Sequence, residues 1–241
     1  GEPLNLVFQH RDEVRAQTRL LCGSVPEPHV VTEAGARFKV HLLRGFNHGL
    51  FLDMAAGRRW VHDFAAARPG CKVLNLFAYT CAFSVVALQG GAGQVSNMDM
   101  ASGALGIGKQ NHQLNGLTQG AGFWPHDVFS SWGKLTRGGP YDLVIADPPS
   151  YQKGSFVAEK DYVRLMRRLP DLLAPGGHAL LCLNSPKRDA AFLQDAMTEA
   201  APSLRFVERL SNPPAFADVS EDRSLKVLVY VNPDEQAGLT T

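Results

Sequence analysis

Four short segments carry residue types that could bind a ligand and act on it. In Asp147-Pro148-Pro149-Ser150-Tyr151, two prolines follow an aspartate directly after the apolar run Tyr141–Ala146. Each proline fixes its own φ and drives the preceding residue toward extended backbone, so Asp147 is held stiffly. This combination points to a carboxylate presented to a reacting group, with Pro148 and Pro149 shaping the site and Tyr151 placed to stack on a planar substrate. The plainer alternative is a rigid turn.

Asp99 ends another apolar run, 24 residues beyond Asn75. An acidic residue at about that offset accepts ribose hydroxyls in nucleotide-type sites, and a carboxylate can take two at once. The alternative is a cap for a helix starting at Ala101. Asn75 to Thr80 end a strand and lead into a helix whose unpaired amides favour an anion such as a carboxylate. Here the simple reading makes Thr80 the helix cap. Asp127 could accept a hydrogen bond from an adenine amino group or cap a helix over 128–135.

Other chemistries lack their signatures. The chain has no G-x-G-x-x-G, no phosphate-binding loop, no G-x-S-x-G, no H-E-x-x-H and no kinase set. Cys22, Cys71, Cys81 and Cys182 are widely spaced and the histidines scattered, so neither a metal site nor a disulfide framework is expected.

These segments need a scaffold that brings strand ends together. From Gly49 onward, short apolar strands alternate with helices. A helix is expected over 54–67 and a strand over 72–77. Helix 80–89, strand 94–98, helix 101–115 and strand 122–126 follow. The buried strand Tyr141–Ala146 precedes helix 157–173, strand 178–183, helix 188–199 and strands 204–210 and 224–231. This implies an α/β fold with a mostly parallel sheet, whose ligands sit beyond the carboxyl ends of the strands. The residues after Phe77, Met98, Ala146 and Leu183 are therefore the candidates. Before Gly49, a helix over Val14–Leu21 and a hairpin of Val30–Thr32 with Arg37–Leu43 are expected.

With 241 residues, 45% hydrophobic and 20% charged, the chain fits one large domain with a small attachment. We divide it into an N-terminal extension (1–45), a main domain (46–233) and a flexible tail (234–241). No run approaches about 18 apolar residues, and no leader pattern opens the chain, so no membrane association and a cytoplasmic location are expected. A net charge of +1 is low for a protein that coats a phosphate backbone. Lys153, Lys160, Arg164, Arg167, Arg168, Lys187 and Arg188 could still gather into a local basic face. The oligomeric state is left open.

Taken in order, the segments resemble the class I S-adenosylmethionine-dependent methyltransferases that modify bacterial 23S ribosomal RNA, in the group with cytosine-C5 and guanine (N2 or N7) subfamilies. Gly49-Leu50-Phe51-Leu52-Asp53 with Arg58 is similar to that family's G-x-F-L-D-x-R-x-x-R, with Ala55 in place of the first Arg. Asn75-Leu76-Phe77-Ala78-Tyr79-Thr80 resembles N-L-F-x-Y-T-G, with Cys81 where the Gly stands. Asp99-Met100-Ala101 resembles V-D-x-S, Asn111 with Asn115-Gly116-Leu117 resembles N-x-x-x-N-G-L, Asp147–Tyr151 resembles D-P-P-x-F, and Leu225-Lys226 the closing L-K.

The resemblance implies a Rossmann-like seven-stranded sheet with helices on both faces. It implies S-adenosylmethionine as cofactor, lying over Asn75, Phe77, Ala78, Tyr79 and Thr80, with its ribose on Asp99 and its adenine near Met100, Asp127 and Val128. The methyl group would face Asp147, Pro148, Pro149 and Tyr151, where a ribosomal RNA base enters. About 45 residues precede the first motif, so the RNA-binding (PUA) module of the cytosine members is not expected. Cytosine-C5 chemistry needs a cysteine nucleophile, for which Cys182 stands in the right region; a lone Cys in an apolar strand is also an ordinary buried residue. Guanine-nitrogen methylation needs no such nucleophile and is the preferred reading. The alternatives are a methyltransferase acting on a small molecule or protein, and a non-catalytic RNA- or nucleotide-binding module on the same fold.

Overall fold

Strands form where apolar residues alternate between two buried faces, and the sheet here is buried on both. The computed structural model describes residues 4–11, 16–149, 151–152 and 156–234. Two antiparallel hairpins come first: β1 (Leu6–Arg11) with β2 (Ala16–Cys22), and β3 (His29–Glu33) with β4 (Ala36–Val40). Then follow α1 (Ala55–Ala66), β5 (Lys72–Leu76), α2 (Ala82–Gln89), β6 (Gln94–Met98), α3 (Ser102–Leu114), β7 (Ala121–Trp124), α4 (Trp132–Gly138) and β8 (Tyr141–Ala146). A short ribbon of β9 (Tyr151–Gln152) and β10 (Phe156–Val157) leads into α5 (Ala158–Met166) and α6 (Leu169–Leu172). β11 (Leu173–Leu183), α7 (Ala190–Ala200), β12 (Arg205–Leu210) and β13 (Lys226–Val231) close the described chain.

The main sheet has seven strands in the order β12-β13-β11-β8-β5-β6-β7. β11, β8, β5, β6 and β7 run parallel, and β13 is antiparallel to both neighbours. Successive side chains face opposite layers. Val73, Leu143, Ile145 and Leu180 join one core with Val61 and Phe64 of α1 and Val85 and Val86 of α2. Leu74, Leu76, Val144, Ala146 and Leu181 join the other with helices α4 to α7. Strand order reverses between β5 and β8, which opens a crevice at their carboxyl ends.

Three expectations need correction. Of the helix expected over Val14–Leu21, residues 16–21 belong to strand β2, and residues 14 and 15 lie outside the described residues. Leu6–Arg11 supplies a partner whose register pairs Phe8 with Arg19 and Gln9 with Thr18, and Gln9 donates to the Thr18 hydroxyl at 3.2 Å. That long-range pairing outweighs local helix propensity. The helix expected over 157–173 is split, because Pro170 cannot donate a helical N–H, so α6 starts anew behind Arg168. The helix expected over 128–135 starts later, at Trp132, after a turn. Apart from Asp234, the tail over 234–241 lies outside the described residues, as do Lys153 and Ser150. Among the described residues no helix is long and apolar enough to cross a membrane.

Candidate functional site

The loop joining β5 to α2 is built against its own backbone preferences. Phe77, Tyr79 and Cys81 have φ of 56°, 47° and 60°, a left-handed conformation that costs a side chain roughly 1–2 kcal/mol per residue. Such a shape persists only where its surroundings over-determine it. Ala78 N–H donates to the Met98 carbonyl at 3.0 Å, and Tyr79 N–H to the Asp99 carboxylate at 2.8 Å. The Thr80 hydroxyl donates to the Gly49 carbonyl at 2.6 Å, and Asn111 of α3 donates to the Thr80 carbonyl at 3.0 Å. Thr80 is therefore not the cap of α2. That position belongs to Cys81, and α2 begins with no side-chain cap at all.

A cavity of ≈ 420 Å³ opens at this point. Phe77, Ala78, Tyr79, Thr80, Asp99, Met100, Asp127, Val128, Asp147, Pro148 and Pro149 lie on its wall, as do Ala82 and Phe83 from the uncapped start of α2. The side chain of Tyr151 lies outside the described residues. Two candidates are off the wall. Asn75 is buried beneath it, donating to Asn97, which donates in turn to the Ser84 hydroxyl beside His112. Cys182 is 0% exposed among Val73, Ile145 and Leu180.

Asp99 accepts the N–H of Tyr79 on one oxygen and of Ala101 on the other, each at 2.8 Å. It is thus both a cap and a wall residue, and each oxygen keeps a lone pair for a ligand. Asp127 accepts from Phe129 and Ser130 N–H at 3.3 and 3.1 Å, capping the turn before α4 while facing the cavity. Burial pushes the Asp147 carboxyl up to about 7; Asp53 adds to the rise and Arg58 opposes it. Its side chain still meets the cavity, so part of that desolvation relaxes as water or ligand enters. Burial likewise pushes the Cys182 thiol well above its ordinary value, with Asp147 and Asp53 adding to the effect.

Gly49, Leu50, Phe51, Asp53 and Arg58 also line the cavity, and they belong to one segment upstream of the sheet, where the Gly49-Leu50-Phe51-Leu52-Asp53 pattern is the sequence signal that points to them. Arg58, 3% exposed, grips Glu33 with two bonds of 2.6 and 2.8 Å and donates to the Phe51 carbonyl at 2.9 Å. It ties the turn of the second hairpin to the cavity rim. Asn111 and Asn115, one helical turn apart, accept the backbone N–H groups of Lys39 and Arg37, so this pair staples β4 to α3. Lys226 is fully buried and donates to the Ser185 and Asp222 carbonyls at 2.6 and 2.8 Å, fixing the chain just beyond the cavity residue Asn184.

A strained loop, an acid at the end of the second parallel strand and a stiff Asp-Pro-Pro at the end of the fourth converge on one cavity. The model of the S-adenosylmethionine-dependent methyltransferase family matches residues 2–231. The chain belongs to that family. Among curated relatives, this chain is 31% identical over 210 residues to ribosomal RNA large subunit methyltransferase I of Aeromonas salmonicida, covering 83% of this chain and 51% of that protein. It is 36% identical over 182 residues to ribosomal RNA large subunit methyltransferase K/L of Psychrobacter sp., covering 72% of this chain and 22% of that one. The chain thus spans about half, or less, of the length of these relatives. A methyltransferase crystallised in complex with SAH superposes with a TM-score of 0.81 at 28% identity, over 89% of this chain and 58% of that one. A SAM-dependent methyltransferase of Streptococcus mutans matches as well, with a TM-score of 0.81 and 27% identity over the same shares.

The residues on this wall fit S-adenosylmethionine. The uncapped start of α2 offers amides to a carboxylate, Asp99 offers acceptors to ribose hydroxyls, and Val128 and Met100 offer apolar surface beside Asp127. Among the described residues no group of three or more His, Cys, Asp or Glu could hold a metal ion. Three cations from the basic-face expectation sit on aromatic rings: Arg164 over Phe129 at 4.3 Å, Arg168 over Trp132 at 5.7 Å and Arg188 over Phe192 at 5.2 Å.

Proposed function

We propose that the chain transfers a methyl group to a base of large-subunit ribosomal RNA, at a guanine nitrogen rather than cytosine C5, and that it does so in the cytoplasm. The contrast between Asp147 and Cys182 carries the choice of atom. Carbon methylation needs a thiolate that reaches the ring, whereas Cys182 is sealed in the core with its thiol held protonated. Asp147 lies on the cavity wall, where a carboxylate can accept an exocyclic amine proton. The relatives' ribosomal RNA substrates supply the substrate class.

When bound, S-adenosylmethionine supplies an electrophilic methyl carbon on a sulfonium. Asp99 would hold its ribose, Met100, Asp127 and Val128 its adenine, and the loop Phe77–Thr80 with the start of α2 its amino-acid end; Asn75 supports that loop from below. Asp147 orients the amine lone pair and receives the proton released as the N–C bond forms. Pro148 and Pro149 keep that carboxylate in place. Positioning and a matched electrostatic environment supply much of the rate. A base inside structured RNA would first be flipped out, at a cost of a few kcal/mol.

The test is methyl transfer from labelled S-adenosylmethionine to 23S ribosomal RNA, followed by nucleoside analysis. Methylated guanine, with at least 100-fold less product from Asp147→Ala, is expected. 5-Methylcytosine, abolished by Cys182→Ala, would overturn the choice of atom.

A further inference from the structure

We infer that the face formed by α4, α5 and α6 is a phosphate grip for the RNA strand that flanks the target base. The inference rests on the RNA reading above and names the surface that serves it. Aromatic rings run from the cavity into this face. Phe77 on the cavity wall meets Phe156 edge-on at 5.4 Å, Phe156 stacks with Phe129 at 6.2 Å, and Phe129 meets Trp132 at 5.9 Å. The outer rings carry cations: Arg164 over Phe129, Arg168 over Trp132, and Lys134 over Trp124 at 4.4 Å. A strand leaving the cavity on this side therefore crosses a row of positive charge.

The arginines are held in place yet open. Arg164 donates one N–H to Asp161 at 2.8 Å and Asp161 also accepts Val157 N–H, so the acid is itself fixed. Arg164 remains 47% exposed and Arg168 50% exposed, and Arg168 meets Asp171 only loosely at 3.6 Å. A guanidinium held over a ring still has N–H donors for phosphate oxygens and less freedom left to lose on binding. Charge concentrates here as well. Helices α4 to α6 together with the Arg167-Arg168 link between α5 and α6 hold six basic residues against three acidic ones, in a chain whose whole net charge is +1. Contacts of this kind set register and affinity without reading sequence.

The experiment is a salt titration of binding between the full chain and a 23S RNA fragment. It compares wild type with Arg164→Gln/Arg168→Gln and, because Asp161 is buried, with Lys134→Gln/Arg168→Gln, which leaves the Arg164–Asp161 pair intact. Each pair should weaken RNA binding about tenfold or more and lower the slope of log K against log salt by roughly 0.7–0.9 per charge removed. S-adenosylmethionine affinity should stay unchanged, which shows that each variant is folded. RNA binding by wild type with an unaltered slope in both variants overturns the grip and leaves the RNA reading standing. Absence of RNA binding by the wild type, with S-adenosylmethionine bound normally, overturns both.

Discussion

The sulfur of Cys81 lies over Gly108 of α3 so closely that a methyl group added to that glycine would sit 2.5 Å from it. The N-L-F-x-Y-T-G pattern that this loop resembles has a glycine after the Thr, and a left-handed φ of 60° explains why one suits the position. This chain keeps the conformation with a cysteine, and Gly108 makes the room. Gly108→Ala should therefore cost about 1–3 kcal/mol through overpacking and weaken S-adenosylmethionine binding by pushing on the loop. Adding Cys81→Gly should recover much of that loss, a non-additivity that thermal melts of the four proteins in the cycle would measure.

Asp99 holds two backbone amides while facing the cavity, so its removal should act twice. Asp99→Ala should weaken S-adenosylmethionine binding at least tenfold and lower the melting temperature. Asp99→Asn retains one acceptor oxygen and should fall between the two. Calorimetric titration beside thermal melts checks this; equal affinities in all three proteins would exclude the ribose role.

The raised Asp147 carboxyl predicts a pH profile. If the ionised form receives the proton, turnover should rise roughly tenfold per pH unit below about 7 and level off above it. Asp147→Asn should lower turnover and flatten that limb. Stability should move the other way. The folded state keeps its proton up to about 7 while the unfolded carboxyl loses it near its ordinary value. Stability therefore falls as pH rises through that window. Asp147→Asn should remove this fall, as denaturant titrations at pH 5 and pH 8 would record.

Arg58 is buried with a bidentate partner that bridges the hairpin and the cavity rim. Arg58→Ala would leave Glu33 and the Phe51 carbonyl without their donor and should cost about 3–5 kcal/mol. Because Phe51 lines the cavity, S-adenosylmethionine affinity should fall alongside the melting temperature, whereas Arg59→Ala on the same helix should change little.

Cys182→Ala removes one sulfur from a packed strand and should cost about 1 kcal/mol. Methyl transfer should be retained near the wild-type rate, and no protein–RNA adduct should survive denaturing electrophoresis. Loss of transfer in a folded variant would return the nucleophile to consideration.

Amino-acid order by itself determined the alternation of strands and helices, down to β6 at Gln94–Met98 and β8 at Tyr141–Ala146. It did so because short apolar runs bounded by glycine and proline, alternating with longer amphipathic stretches, suit buried strands between helices. It also marked Asp99, Asp127 and Asp147 as strand-end acids. Only the tertiary structure decided which side chains reach the cavity. Asn75 and Cys182 sit in the right stretches but face inward, since residue parity along a strand sends neighbours to opposite layers. Arg58 and Asp53 enter from a segment upstream of the sheet, brought there by the Glu33 ion pair and the Thr80–Gly49 bond. The first hairpin likewise depends on the fold. β2 is held by a partner across the chain, and pairing energy of that kind is invisible to a window of neighbouring residues.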